Sequence, residues 1–115
     1  MYQFLYSEVL DDDPDEARRR EREAFDQALS LLRTAEEKGV GSIETVRALH
    51  FLQMLWSILI KDLCAPENDL PKDLRAGIVS IGLWVAKEVD AVRSGTATSL
   101  ADLIEINQIV RDGLK

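Results

Sequence analysis

Four segments of the chain carry apolar residues at intervals of three and four positions, the period of an amphipathic helix. Turn residues separate these segments: Gly39-Val40-Gly41, a connector that contains Pro66, and Gly95. Short connections between such helices favour antiparallel neighbours. We therefore predict an all-α fold, an antiparallel bundle of four helices at about residues 14–38, 42–63, 71–94 and 99–114, in a single helical domain spanning 1–115.

Residues at the predicted helix starts have the chemistry of N-caps. Asp13 precedes Pro14, and proline is favoured at the first position of a helix. Ser42 is expected to cap the second helix. Ser99, with Asp102 three residues later, is expected to cap the fourth.

The second predicted helix is apolar around more of its circumference than a surface helix needs. Its polar residues fall on one stripe: Arg47, His50, Gln53, Ser57 and Lys61. The other positions from Ala48 to Ile60, except Met54, cover an arc of roughly 200°, about twice the usual width. This helix is therefore either the centre of the bundle or a face for a partner. Trp56 lies in the arc, so we expect it to pack in the core with an edge towards a partner.

The third predicted helix has a main apolar arc and a second apolar side. The main arc consists of Leu74, Ile78, Ile81, Val85, Val89 and Val92. Val79, Leu83 and Ala86 recur on another side, and their charged rim is Lys72, Arg75, Lys87 and Asp90. Trp84 flanks the main arc beside Gly77, where a missing side chain is expected to admit another helix. Because one buried face would not need these extra apolar positions, we predict that Val79, Leu83, Trp84 and Ala86 contact a protein partner.

An aromatic segment precedes the first predicted helix and is expected to form an extended arm. Tyr2, Phe4 and Tyr6 either pack over the bundle, covering Leu83, or become ordered by a partner, so they join the candidate contact residues. A second copy of the chain is another candidate cover for Leu83.

In the fourth helix, Asn107 lies within the apolar arc. We expect it to be buried and hydrogen-bonded, since an unpaired amide costs about 1–3 kcal/mol.

Composition narrows the classes of function. Apolar residues make up 46% and the net charge is −7, so we expect a globular protein with no direct nucleic-acid partner. The single cysteine, Cys64, excludes an internal disulfide and is expected to be a buried, inert thiol.

The first ten residues lack the basic start and apolar run of a signal peptide, and the apolar stretch Ala48–Ile60 is short for a bilayer span. We therefore expect a cytoplasmic protein with no membrane partner.

Patterns typical of catalytic, cofactor and metal sites are missing from the sequence. Gly39-Val40-Gly41 lacks the lysine and third glycine of a phosphate-binding loop, and Asp11-Asp12-Asp13 lacks the alternating ligands of a calcium loop. His50 is not followed by the lysine and glycine that assist a phosphotransfer histidine. We therefore predict a non-enzymatic protein with no catalytic, cofactor-binding or metal residues.

Several sequence blocks resemble one known family. They are Leu55-Trp56-Ser57-Ile58-Leu59-Ile60-Lys61-Asp62-Leu63, Pro66-Glu67-Asn68-Asp69-Leu70-Pro71, Leu74-Arg75-Ala76 and Ser80-Ile81-Gly82-Leu83-Trp84-Val85. The opening Met1-Tyr2-Gln3 and the closing segment from Ile104 to Leu114 fit the same pattern. The chain resembles FlaF, the flagellar biosynthesis regulator family of alphaproteobacteria, over nearly its whole length.

This resemblance implies a function that the physical pattern alone does not give. It implies a protein that binds flagellin and supports its synthesis or secretion, like an export chaperone, in balance with the regulator FlbT. The alternative is a regulator that acts mainly through FlbT on translation of flagellin messenger RNA. The resemblance assigns no individual contact residues, and the sequence leaves the oligomeric state open.

Overall fold

The structure, a computed structural model, describes residues 14–114. Its four helices are α1 (Pro14–Lys38), α2 (Ile43–Leu63), α3 (Lys72–Arg93) and α4 (Ala101–Gly113). The predicted all-α bundle is confirmed, and each boundary lies within two residues of its predicted position. The predicted N-terminal arm, with Tyr2, Phe4 and Tyr6, lies outside the described residues.

Helix α1 packs against both α2 and α4, whereas α3 packs against α2. The pairing of α1 with α4 is antiparallel: Arg111 near the end of α4 donates to Asp26 at 2.8 Å, and Glu36 near the end of α1 meets the start of α4. The start of α2 likewise lies beside the end of α3. In space the order is therefore α3, α2, α1, α4, so α3 and α4 are the two outer helices and do not pack closely against each other.

Trp56 is the central side chain of the core. Its exposed fraction is 3%, and its ring meets that of Phe25 edge to face at a centroid distance of 5.8 Å. Its indole Nε1 donates a hydrogen bond of 2.8 Å to Oδ1 of the fully buried Asn107. Asn107 Nδ2 in turn donates to the Leu103 carbonyl at 2.7 Å. The predicted core position of Trp56 and the predicted hydrogen-bonded burial of Asn107 are both confirmed.

The close approach between α2 and α3 occurs at Gly82. A Cβ on Gly82 would lie 2.7 Å from Ile60 Cδ1 and 3.0 Å from Trp56 Cε3, both inside normal contact distance. Gly77, where the sequence led us to expect the approach, is exposed and has nothing within 4 Å of such a Cβ. That expectation was wrong because α3 presents the side of Gly82, Val85 and Val89 to α2 rather than the side of Gly77.

The helix caps agree with the sequence for α2 and differ for α4. Ser42 Oγ accepts the Thr45 amide hydrogen at 3.4 Å, as predicted. Ser99 does not occupy the cap position of α4, because the chain remains non-helical to Leu100. Instead, the carboxylate of Glu36 in α1 accepts a hydrogen bond of 2.6 Å from the Leu100 amide and another from the Ser99 hydroxyl. Ser99 Oγ still accepts the Ala101 amide hydrogen at 3.0 Å, one position before the cap, so a local serine and a side chain from another helix together satisfy the start of α4.

Two positions are more exposed than predicted. Leu74, assigned to the core arc of α3, is 49% exposed because it lies in the first turn of that helix, beyond its contact with α2. Cys64, expected to be buried, is an exposed free thiol because it lies at the C-cap of α2, where the chain leaves the bundle. The core arc of α3 is therefore shorter than its apolar pattern.

By length and composition alone, α2 could cross a membrane: it has 21 residues, and its most apolar stretch of 18 residues, of which 33% is buried, has a mean hydropathy of 1.2. Ile43 and Val46 extend the apolar stretch beyond the segment from Ala48 to Ile60. The central helix of a water-soluble bundle passes the same test, and α2 carries buried residues along its whole length, from Thr45 to Leu63. The absence of a membrane partner remains a prediction.

The Trp56–Asn107 hydrogen bond predicts non-additive substitutions. Trp56→Phe keeps an aromatic ring but leaves the Asn107 oxygen unpaired, which should cost about 1–3 kcal/mol of unfolding free energy. Trp56→Ala should cost more, about 3–5 kcal/mol, because it also leaves a cavity. Urea denaturation of Trp56→Phe, Asn107→Leu and the double variant should show a double loss smaller than the sum. Strictly additive losses would mean that the bond contributes nothing.

The two glycines of α3 provide a matched test of the helix contact. Gly77→Ala should stabilise the protein by about 0.5–1 kcal/mol, since alanine favours a helix and nothing obstructs its methyl group. Gly82→Ala gains the same helix preference but pushes Trp56 and Ile60 aside, so it should be less stable than Gly77→Ala by about 1–3 kcal/mol. Thermal melts of both variants measure the difference. Equal stabilisation by both would show that α2 and α3 do not meet at Gly82.

Candidate protein-binding surfaces

Large apolar side chains remain exposed on several helices. Those with 41–59% of their surface exposed are Ile43, Val46, Met54, Ile58, Leu74, Leu83, Trp84 and Ile109. Single exposed apolar residues are ordinary, whereas a concave apolar surface indicates a binding site. Members of this set line three hollows, two of which have mainly apolar walls.

The first hollow, the α3/α4 cleft, lies between the two helices that do not pack closely together. It has a volume of about 310 Å³ and is lined by Ile81, Trp84, Asp102, Glu105, Ile106 and Ile109. The apolar contacts come in pairs one helical turn apart: Ile81 with Trp84 on α3, and Ile106 with Ile109 on α4. The cleft therefore has an apolar wall on each side.

The charged residues that line the α3/α4 cleft are both acidic. Asp102 and Glu105 lie on the α4 side, and no basic residue lines the hollow within the described part of the chain. Trp84 and Ile109 keep 41% and 57% of their surfaces exposed. The cleft is therefore suited to an apolar helix whose flanking charge is positive.

The second hollow, the α1/α2 groove, runs along the first half of α1. It has a volume of about 320 Å³ and is lined by Ala17, Arg20, Glu21, Ala24, Phe25, Phe51, Met54, Leu55, Ile58, Leu59 and Asp62. Met54 and Ile58 on its α2 side are 50% and 45% exposed. Its residues are mostly apolar, with both signs of charge at its edge.

Glu21 is the titratable group most affected by this environment. Burial raises the pKa of its carboxyl above the ordinary value for glutamate, and the nearby Asp62 adds to the increase. The Arg18 guanidinium, which donates to Glu21 at 2.8 Å, lowers the pKa but does not outweigh the burial. The charged form of Glu21 is therefore disfavoured at the edge of the groove.

The predicted partner residues of α3 divide between two surfaces. Leu83 is 59% exposed and Ala86 is exposed, as a contact face requires, but Val79 is partly buried against the core. Trp84 lies on the other flank of the helix, in the α3/α4 cleft. Adjacent residues point about 100° apart on a helix, so Leu83 and Trp84 cannot share one flat contact.

The remaining predicted residues lie elsewhere. Trp56 is buried in the core and leaves only 3% of its surface for a partner. Arg75, in the predicted charged rim, has its Nε buried with no hydrogen-bond partner in the region that the structure describes. Tyr2, Phe4 and Tyr6 fall outside the described residues. Contact of a partner with the exposed surface formed by Leu83 and Ala86, the Leu83 face, therefore remains a prediction.

Sequence reasoning missed the α4 side of the cleft. No residue of α4 was predicted to contact a partner, although Ile109 follows Ile106 by three residues. That spacing is the signal that could have found it, since it continues one helix face. The meeting of this face with Trp84 depends on the arrangement of α3 and α4, which periodicity does not encode.

Within residues 14–114, no group of three or more His, Cys, Asp or Glu side chains is placed to hold a metal ion. His50 is exposed on the polar stripe of α2, and the exposed Cys64 lies at the end of the same helix. The features of the described surface that fit a binding function are thus apolar hollows.

The chain matches a known protein family. The sequence model of the family described as Flagellar protein FlaF matches residues 2–114, which is nearly the whole chain. No curated protein and no solved structure gives a significant match.

The raised pKa of Glu21 predicts a pH effect on stability. An acid whose folded pKa exceeds its unfolded pKa destabilises the fold when it is ionised, and this cost disappears as the pH falls below both values. Relative to Glu21→Gln, the parent chain should therefore gain stability as the pH falls from 7 towards 4. Chemical denaturation of both proteins over that range isolates the contribution of Glu21. A parent that instead loses stability relative to the variant would show that the ion pair with Arg18 dominates.

Proposed function

Because the chain belongs to the FlaF family of flagellar proteins, with a role in flagellum biogenesis, we propose that it binds flagellin in the α3/α4 cleft. Binding there would support flagellin synthesis or secretion without catalysing a reaction, as an export chaperone does. The observation that carries the proposal is the pair of apolar walls formed by Trp84 and Ile81 on α3 and by Ile106 and Ile109 on α4.

The mechanism is the insertion of an apolar helix of flagellin between α3 and α4. The incoming helix would cover Trp84 and Ile109, which are substantially exposed in the free chain. Flagellin's terminal helices would then be held apart from one another in the cytoplasm until secretion. Asp102 and Glu105 would favour a segment with basic flanking residues and would fix its direction.

A second surface suits the second partner. Leu83 and Ala86 lie exposed on the other flank of α3, outside the cleft. In the alternative function, FlbT would bind this Leu83 face and the pair would act on translation of flagellin messenger RNA. The net charge of −7 favours a protein over RNA as the direct contact.

A matched pair of substitutions tests the cleft. Ile109 and Leu83 have nearly equal exposure, 57% and 59%, but lie on different surfaces. Ile109→Asp should weaken capture of purified flagellin about tenfold or more, a loss of at least about 1.4 kcal/mol, because a carboxylate would enter the apolar wall. Leu83→Asp should weaken it much less. Neither variant should change the helical content or melting temperature greatly, since both positions are exposed.

The binding assay should use purified flagellin with FlbT and RNA absent. Because Trp56 is already buried, the fluorescence of the exposed Trp84 should shift to the blue as flagellin covers it, and Trp84→Phe should remove this shift. Loss of binding by Leu83→Asp alone would move the contact to the Leu83 face. Capture of FlbT but not of flagellin by the parent chain would overturn the proposal in favour of the alternative function.

A further inference from the structure

We propose that a second copy of this chain packs against the outward side of α3, so that the two α3 helices pair antiparallel about a two-fold axis at Ser80. The proposal does not depend on flagellin binding. The surface concerned, the α3 outer face, consists of Lys72, Asp73, Ala76, Gly77, Ser80, Leu83, Trp84, Lys87 and Asp90.

The α3 outer face is a continuous exposed side of the helix. At about 100° per residue, its members fall within an arc of about 140°. This arc lies opposite the buried residues Gly82, Val85 and Val89. Every member of the face is exposed, and a Cβ on Gly77 would meet nothing within 4 Å. One whole side of α3 is therefore open within the described part of the chain.

The two halves of the face differ in side-chain size. Ala76 and Gly77 precede Ser80, whereas Leu83 and Trp84 follow it. In an antiparallel pair, the first half of one helix meets the second half of the other. Leu83 then lies beside Ala76 of the second copy, and Trp84 lies beside Gly77 of the second copy. Each bulky side chain meets a small one, which allows the two helices to approach closely.

The shape of a second helix also suits the spacing of the bulky residues. Leu83 and Trp84 point about 100° apart, so a flat surface could not contact both. A helix can contact both, because it packs along the stripe between them and meets one residue on each flank. That stripe consists of Ala76, Ser80 and Lys87.

The charges at the two ends of the face are complementary in this orientation. Asp73 and Lys87 lie seven residues before and after Ser80, so the aspartate of each copy faces the lysine of the other. Lys72 and Asp90, eight and ten residues from Ser80, form a further pair of opposite charges. None of these four side chains makes an ion pair with any residue that the structure describes. A parallel pairing would instead place each charge against its own copy.

The α3 outer face is neutral, although the chain as a whole carries a net charge of −7. Its charged residues are two lysines and two aspartates, so two copies can meet there without concentrating negative charge. The α3/α4 cleft differs, because its charged residues are Asp102 and Glu105. A two-fold contact through the cleft would bring the carboxylates of both copies together. The outer face is therefore the better surface for self-association.

The size of the contact predicts a weak dimer. Only one helix of each copy takes part, so the buried area should stay below the roughly 1,200 Å² of a standard interface. We therefore expect a dissociation constant of about 10–100 µM rather than an obligate dimer. Dilute protein is then monomeric, and substitutions on the face change its melting temperature little.

Sedimentation equilibrium of the full chain, with flagellin and FlbT absent, tests the pairing. The parent chain should pass from monomer to dimer as its concentration rises to about 500 µM. Leu83→Asp should weaken dimerisation about tenfold or more, because a carboxylate would enter the apolar part of the contact. Ile109→Asp, at a position of nearly equal exposure in the cleft, should leave dimerisation unchanged. A reducing agent prevents disulfides through the exposed Cys64.

A charge swap tests the direction of the helices. Asp73→Lys brings lysines of the two copies together and Lys87→Asp brings aspartates together, so each should weaken the dimer about fivefold or more. Combining the two substitutions restores opposite charges at both contacts and should recover the dimerisation of the parent. In a parallel pairing, like charges would already meet in the parent, and neither single substitution would weaken it.

Disulfide cross-linking locates the two-fold axis. In a Cys64→Ser background, Ser80→Cys should form a disulfide between two copies, since a residue at the axis faces its own counterpart. Lys87→Cys should not, because seven residues on each side of the axis separate the two cysteines by about 21 Å along the helices.

Each outcome decides the proposal. A parent chain that remains monomeric at every concentration overturns it and leaves the α3 outer face to another protein, such as FlbT. A dimer that is lost in Ile109→Asp but kept in Leu83→Asp would place the contact in the cleft and also overturn it. A charge swap that fails to recover the dimer, or a disulfide at position 87 but not at position 80, would overturn the antiparallel pairing. The predicted pattern in all three measurements supports it.

Discussion

The hydrogen bond between Trp56 and Asn107 joins α2 to α4 through the buried core. Both partners are buried, so breaking this bond would leave two polar groups without water to replace the lost partner. The bond therefore fixes the rotation of α4 relative to α2. That rotation directs Leu103 and Val110 inwards and leaves Ile106 and Ile109 at the cleft.

The same indole also determines where α3 lies. Trp56 and Ile60 occupy the space beside Gly82 that any larger residue would need, so α3 approaches α2 along this line. Because α4 is held against α1 on the other side, the two outer helices share no extensive contact. The α3/α4 cleft is thus a consequence of how the core is packed, and its apolar walls follow from the incomplete pairing of these helices.

The sequence was sufficient to predict the helices, because apolar periodicity and turn residues encode local structure. It also predicted the burial of Asn107, since an amide inside an apolar arc needs a partner. It did not predict the contact at Gly82 or the cap supplied by Glu36, because both depend on side chains distant in sequence. The cleft was found only in part: Trp84 was singled out, but the isoleucines opposite it belong to another helix.

The start of α4 is capped by a side chain of α1, a helix that is synthesised earlier. Glu36 is synthesised 64 residues before Leu100, whose amide hydrogen it accepts. Until α4 is synthesised, the carboxylate of Glu36 has no helix start to cap. The nascent chain can therefore form the second wall of the cleft only after α4 has been synthesised. A protein truncated before α4 would present the groove on α1 and α2 but no cleft.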